Sequence, residues 1–163
     1  MAYLMNQIDS SGESLPSVGR LAGIDFGTVR IGVAVSDFDQ IIASPLDTYR
    51  CCGSAEDADY FKELVGRESI CGFVLGLPVH MSGDESQKSA EAREFGRWLG
   101  EQTGLPVGWM DERYTTALAR EFLSQSGLSG AARKARLDKV AAQIILSAYL
   151  ESRSGGDSIA PLH

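Results

Sequence analysis

Apolar and polar positions change period several times along the chain, and each change marks an element. Leu21-Ala-Gly-Ile-Asp-Phe-Gly27 is a short apolar run that ends at a glycine turn, and Arg30-Ile-Gly-Val-Ala-Val-Ser36 follows after a few residues. The two runs predict a β-hairpin. Ile41 to Thr48 supplies a third strand, which Pro45 restricts to a place where no ladder donor is needed, such as an edge. Between Ala55 and Gly66 the apolar residues Ala58, Phe61, Leu64 and Val65 fall at helical spacing, and Ser69 to Leu77 is then a nearly all-apolar strand ending at Pro78. A long helix is predicted from Asp84 to Gln102, stopped near Gly104 and Pro106, with a strand from Pro106 to Met110 after it. Thr115 or Thr116 can cap a helix through Leu118, Ala119, Phe122 and Leu123 to Gly127. A last helix carries Leu137, Val140, Ala141, Ile144, Ile145, Ala148 and Tyr149.

The resulting order is β-β-β-α-β-α-β-α-α. Three antiparallel strands followed by right-handed crossover units in one small sheet form the element order of an α/β domain of the RNase H-like type, with five strands in the order 3-2-1-4-5. At 163 residues the chain has the length of one domain. Residues 1–19 and 153–163 are rich in Ser, Gly and Pro without periodicity and are expected to be flexible tails flanking an RNase H-like domain at 20–152.

Composition narrows the function classes. No segment approaches the ~20 uninterrupted apolar residues of a membrane span. The first 19 residues lack the basic and apolar regions of a signal peptide, so a cytoplasmic protein is expected. Cys51, Cys52 and Cys71 show no C-x-x-C spacing and have no His beside them, which reads as reduced structural thiols rather than a zinc site. The formal charge of −7 argues against coating nucleic acid by net charge alone, although a local basic patch can still attract phosphate.

The candidate chemistry lies in the acids. Asp25 sits where the first strand gives way to Gly27, and Asp111-Glu112 directly follows the fifth strand. Successive strand side chains point to opposite faces, so one of the latter pair should enter a shared site, with Glu112 the first choice and Asp111 the reserve. Asp138 is expected in the first turn of the last helix, beside Ala141 and Ala142, whose small side chains would let the helix start approach the sheet. Acids at each place also have plainer explanations, in turn formation and in favourable helix-dipole contacts. Their combination carries the argument, because strands one, four and five are parallel neighbours in this topology and their C-terminal ends emerge together. Three carboxylates at one rim repel unless a cation compensates, and hard oxygen donors without His or Cys point to Mg²⁺ or Mn²⁺. Such sites support phosphodiester cleavage without a protein nucleophile.

Four segments carry a specific resemblance: GIDFGTVRIGVAVSD (23–37), VLGLPVHMSGDES (74–86), DERYTTALA (111–119) and DKVAAQIILSAYLE (138–151). In this order they resemble the signature blocks of the YqgF family, also called RuvX or Holliday-junction-resolvase-like, over roughly residues 20–151. The resemblance implies an RNase H-like fold, a cytoplasmic protein, and a nuclease that matures the 5′ end of pre-16S ribosomal RNA or resolves four-way DNA junctions. By motif position it makes Asp25, Glu112 (or Asp111) and Asp138 the active-site acids.

Around these acids, the loop Gly76–Gly83 precedes a helix that Ser82 or Asp84 can cap, so its N–H groups could receive a phosphate; it also suits a plain connection. His80 in this loop is a candidate acid or base, or simply an exposed loop residue. Arg30 and Arg113 are candidates to hold phosphate, or to pair with the acids. Arg133, Lys134 and Arg136 belong to a basic run before Asp138 and are expected to contact a nucleic-acid backbone. Trp98, Trp109 and Phe73 read as core residues rather than base-stacking platforms. The expected partners are structured pre-rRNA or branched DNA, with a ribosomal particle among the candidates and the protein a monomer or homodimer.

Two other classes compete. Gly23-Ile-Asp-Phe-Gly-Thr28 also looks like the phosphate-binding hairpin of the actin, Hsp70 and sugar-kinase superfamily, but the chain holds no second copy to enclose a nucleotide. A non-catalytic RNA- or ribosome-binding module would be marked by a damaged acidic set, and the acids here are all present.

Overall fold

The computed structural model describes residues 14–78, 87–112 and 130–162. Its elements are β1 (Arg20–Asp25), β2 (Arg30–Ser36), β3 (Ala43–Arg50), α1 (Ser54–Glu68), β4 (Ile70–Leu77), α2 (Gln87–Thr103), β5 (Val107–Asp111) and α3 (Gly130–Leu162). The strands form one sheet in the order β3-β2-β1-β4-β5. β1 pairs antiparallel with β2 and parallel with β4, β2 pairs antiparallel with β3, and β4 pairs parallel with β5. This is the mixed sheet and strand order expected from the sequence. The predicted helix from Thr115 or Thr116 to Gly127 and the loop residues 79–86 lie outside the described residues.

Alternation along the strands divides the interior into two layers. On one face Ala22, Ile24, Ile31, Val33, Phe73 and Leu75 pack with Phe61 and Leu64 of α1 and Leu99 of α2. On the other face Leu21, Ala34 and Val74 meet Ala142, Ile145, Leu146 and Tyr149 of α3. Ile145 and Tyr149 belong to the expected stripe, but the packed face also takes Ala142 and Leu146, while Ala141, Ile144 and Ala148 are only half-buried. β3 lies at an edge, as Pro45 requires, and a register irregularity falls between Val33 and Ala34 of its neighbour.

Four expectations change. β3 begins at Ala43 rather than Ile41, because the Asp37 carboxylate accepts the N–H groups of Ile41 and Ile42 at 2.8 and 2.9 Å and keeps them in the turn. Helix α3 begins at Gly130, so Asp138 is not in its first turn; the Ala-, Arg- and Lys-rich segment before it is made of good helix formers and contains no breaker. At the other end α3 continues to Leu162, past the start of the expected tail at 153, and the Arg153 guanidinium bonds to the Gln40 side chain and the Pro16 carbonyl. Near the N-terminus, Leu15 packs against the α3-side core, so the ordered chain starts before β1.

The depth at which α3 settles is fixed by glycines on the sheet. A Cβ on Gly23 would lie 2.7 Å from the Ala142 carbonyl oxygen, and one on Gly32 would collide with the carbonyl group of Asp138 itself. The helix therefore touches the sheet backbone to backbone where its acid arrives. Gly66, exposed in α1, has open space at its Cβ position. Gly32→Ala is expected to destabilise the fold by on the order of 1–3 kcal/mol, through overpacking against backbone that cannot yield cheaply. Gly66→Ala is expected to stabilise it by roughly 0.5–1 kcal/mol through helix propensity and a less flexible unfolded chain. Urea denaturation of the two variants checks both signs.

Candidate active site

Asp25 is the last residue of β1, and alternation from Leu21 and Gly23 turns it toward the α3 face of the sheet. Glu112 directly follows β5, on the same face as Met110, while Asp111 alternates away. β4 lies between their strands and offers no obstacle: Gly76 faces the gap, and a Cβ there would strike the Glu112 carboxylate and approach its Cγ to 2.9 Å. Asp25 and Glu112 consequently meet and share a hydrogen bond, with the Asp25 carboxyl donating to the Glu112 carboxylate.

The electrostatics of this pair follow from enclosure. Burial pushes the Asp25 carboxyl well above the usual carboxylate range; the charge of Glu112, the hydrogen bond to it and the charge of Asp138 push the same way. Asp25 retains some exposure at its surface although its carboxyl is densely surrounded, so desolvation is the leading cause. Glu112 is also raised, by burial and by the charge of Asp111, against the hydrogen bond from Asp25 and the charge of Lys88. Asp138 stands close enough for its charge to act on Asp25, and the Arg30 Nε donates to its Oδ2 at 2.7 Å.

Arg30 is therefore tied to an acid in this structure, the second of the roles open to it from sequence. Arg136 is exposed on α3, ahead of Asp138. Arg113 and His80 fall outside the described residues, as do the side chains of Arg133 and Lys134. Among the described residues, no three His, Cys, Asp or Glu side chains converge as a ready-made metal cage. The close association is the Asp25–Glu112 pair, with Asp138 beside it and held by Arg30.

A cleft of about 380 Å³ opens over the pair, and its walls include Gly27, Thr28, Lys88 and Glu91 as well as Asp25 and Glu112. Lys88 and Glu91 escaped the sequence reading. Their signal was positional: they lie in the first turns of the helix that follows β4, whose C-terminal end is the edge where the acids gather.

Asp25→Asn removes a buried acid that the metal-free fold accommodates at a cost, so it is expected to raise the melting temperature measured in EDTA. The sign with pH is fixed by the upward shift. Folded protein holds the Asp25 proton where unfolded chain has released it, so metal-free stability falls as pH rises from the usual carboxylate range through the raised value. Asp25→Asn should flatten that decline. A lower melting temperature with an unchanged pH slope would contradict the assignment of strain to this pair.

Comparison with known proteins extends this geometry. Residues 19–152 match the family profile described as RuvX, Holliday junction resolvase. A Rhodopirellula baltica protein named as a candidate pre-16S rRNA nuclease is 46% identical over 140 residues, covering 86% of this chain and 81% of that one. A Rhodobacter capsulatus protein of the same name is 42% identical over 144 residues, covering 88% and 91%. Among solved structures, T. thermophilus RuvC in complex with a Holliday junction substrate aligns with a TM-score of 0.52 at 16% identity, over 83% of this chain and 96% of that one. That likeness concerns the fold, which is RNase H-like.

Proposed function

The chain belongs to the RuvX family, and from that membership and the paired acids we propose that it is a metal-dependent nuclease that processes the 5′ end of pre-16S ribosomal RNA. The observation that carries the reading is the hydrogen-bonded Asp25–Glu112 pair at the C-terminal edge of the sheet, in a cleft open to a polymer. The names given to the sequence relatives support the RNA substrate. The family's description favours a second reading, resolution of four-way DNA junctions. Intact acids weigh against a purely binding module. No described helix is long and apolar enough to cross a membrane, which accords with work on ribosomal RNA in the cytoplasm.

The donor set fits a hard divalent cation. Two enclosed carboxylates that share a proton are a place where positive charge is favourable, and Mg²⁺ or Mn²⁺ prefers such oxygen ligands. Asp25 and Glu112 would hold the ion, with Asp138 the third acid. A divalent ion there would lower the pKa of a water and stabilise the leaving oxygen of phosphodiester hydrolysis.

The chain's own groups supply the rest. Arg30 fixes the Asp138 carboxylate in place. Lys88 brings positive charge to the cleft wall, where a substrate phosphate would lie. The basic run with Arg133, Lys134 and Arg136 precedes Asp138 on α3 and would track the backbone beyond the cleft, and Arg113 beside Glu112 would join them.

Wild-type protein is expected to cut a precursor rRNA 5′ segment with Mg²⁺ or Mn²⁺ in preference to a synthetic four-way DNA junction, and Asp25→Asn is expected to reduce cleavage to background while remaining folded. Preference for the junction would select the second reading; full activity of Asp25→Asn would overturn the site. Changing Arg133, Lys134 and Arg136 together to Ala should weaken binding and lower the slope of log affinity against log salt by roughly 2. Filter binding across a salt series reads that slope, and no change would return the run to ordinary surface.

A further inference from the structure

A second recess, of about 450 Å³, adjoins the acidic cleft and shares Phe26, Thr28 and Glu91 with it. It is built by the β1–β2 turn with Ile31 of β2, by the segment from Cys51 into the start of α1, and by α2 as far as Trp98. Its apolar wall is aromatic. The Phe26 and Phe95 rings are stacked with centroids 4.6 Å apart, and Trp98 tilts against Phe95 at 5.5 Å. Its charged groups are carboxylates, from Asp57, Glu91 and Glu94, with the Thr28 and Ser54 hydroxyls beside them. Asp57 is oriented by the Tyr49 hydroxyl and the Cys52 N–H, which donate to its Oδ1 at 2.7 and 2.9 Å. Among the described residues lining the recess there is no Lys or Arg.

This chemistry excludes one part of a nucleic acid and suits another. Carboxylates without a compensating cation repel phosphate. Aromatic faces stack on bases, and unpaired bases of folded RNA are commonly splayed out onto such surfaces. Carboxylates accept hydrogen bonds from base edges, and a base with adjacent donors suits them best. Guanine presents N1–H and the N2 amine side by side. Position agrees, because Phe26 follows Asp25 directly, so the recess begins where a phosphate at Asp25 would end.

We propose that this recess is a nucleobase subsite, which takes one unpaired base beside the scissile phosphate, stacks it on the Phe26–Phe95–Trp98 wall and favours guanine through its carboxylates. The subsite rests on the nuclease reading for the identity of its polymer. Trp98 thereby acquires a role beyond the core packing expected from its helical position, whereas Phe73 is fully buried and Trp109 packs with the main core under the Arg93 guanidinium.

The test is binding in EDTA, where no cleavage occurs. The probes are uridine decanucleotides with a central guanosine, inosine (which lacks the N2 amine) or abasic position. Anisotropy reports affinity, and Trp98 fluorescence in a Trp109→Phe background reports occupancy of the recess. Guanosine is expected to bind about tenfold tighter than the abasic probe, severalfold tighter than inosine, and to quench Trp98. Phe26→Ala should remove most of the advantage over the abasic probe. Glu91→Gln with Glu94→Gln should erase discrimination between guanosine and inosine while stacking persists. Equal binding of guanosine and abasic probes, or an unchanged Trp98 signal, would overturn the subsite even in a protein that cleaves RNA. The expected order of binding in a protein that cleaves nothing would retain the subsite and reject the nuclease reading alone.

Discussion

A helix can lie on a sheet at backbone distance only where the sheet presents no side chains, and Gly23 and Gly32 remove them where Ala142 and Asp138 arrive. From that contact the rest of the edge follows. Asp138 is set beside the end of β1, within reach of Arg30 at the start of β2, and its charge acts on Asp25. Gly76 repeats the device on β4, clearing space for Glu112 to cross from the end of β5 to Asp25. Asp25 and Glu112 meet, with Asp138 beside them, because glycines on three adjacent strands leave the centre of this sheet face bare. The apolar stripe of α3, with Ile145 and Leu146 fully packed, fastens the helix over it.

Such convergence works against stability. Burial and the charges of its neighbours push the Asp25 carboxyl well above the usual carboxylate range, and burial raises Glu112 as well. Asp138 is ion-paired with Arg30, whose Nε lies 2.7 Å from its Oδ2. The arrangement places a proton-sharing pair beside a charge-balanced third acid, and the rigid sheet and helix hold that spacing without help from a ligand. The Asp25–Glu112 pair sits at the C-terminal ends of two strands, where side chains leave the ladder.

Much of this was legible in the sequence. Alternation in β1 and β2, the apolar run of β4 and the helical spacing of α3 gave the element order, and the strand order followed from the arrangement that element order takes in RNase H-like domains. Alternation allowed only one of Asp111 and Glu112 onto the shared face, and the structure turns Glu112 toward Asp25. What escaped depended on contacts between distant segments. The start of β3 was misplaced because an Asp37 side chain, rather than a strand partner, takes the N–H groups of Ile41 and Ile42. The place of Asp138 within its helix was misread because a basic segment looks alike as loop or helix. Lys88 and Glu91 carry no motif of their own and enter the cleft only through the packing of α2 against β4 and β5. The aromatic recess was equally hidden, since Phe26, Phe95 and Trp98 are each ordinary core residues until three elements leave a gap between them.

The most direct measurement is calorimetric titration of Mn²⁺ into metal-free wild-type protein and into Asp25→Asn and Glu112→Gln, with folding of each verified by circular dichroism. If the pair is the cation site, wild type binds the ion and either single change weakens binding at least tenfold. Equal affinity in all three proteins would place the ion elsewhere and contradict the assignment of Asp25 and Glu112 as its ligands.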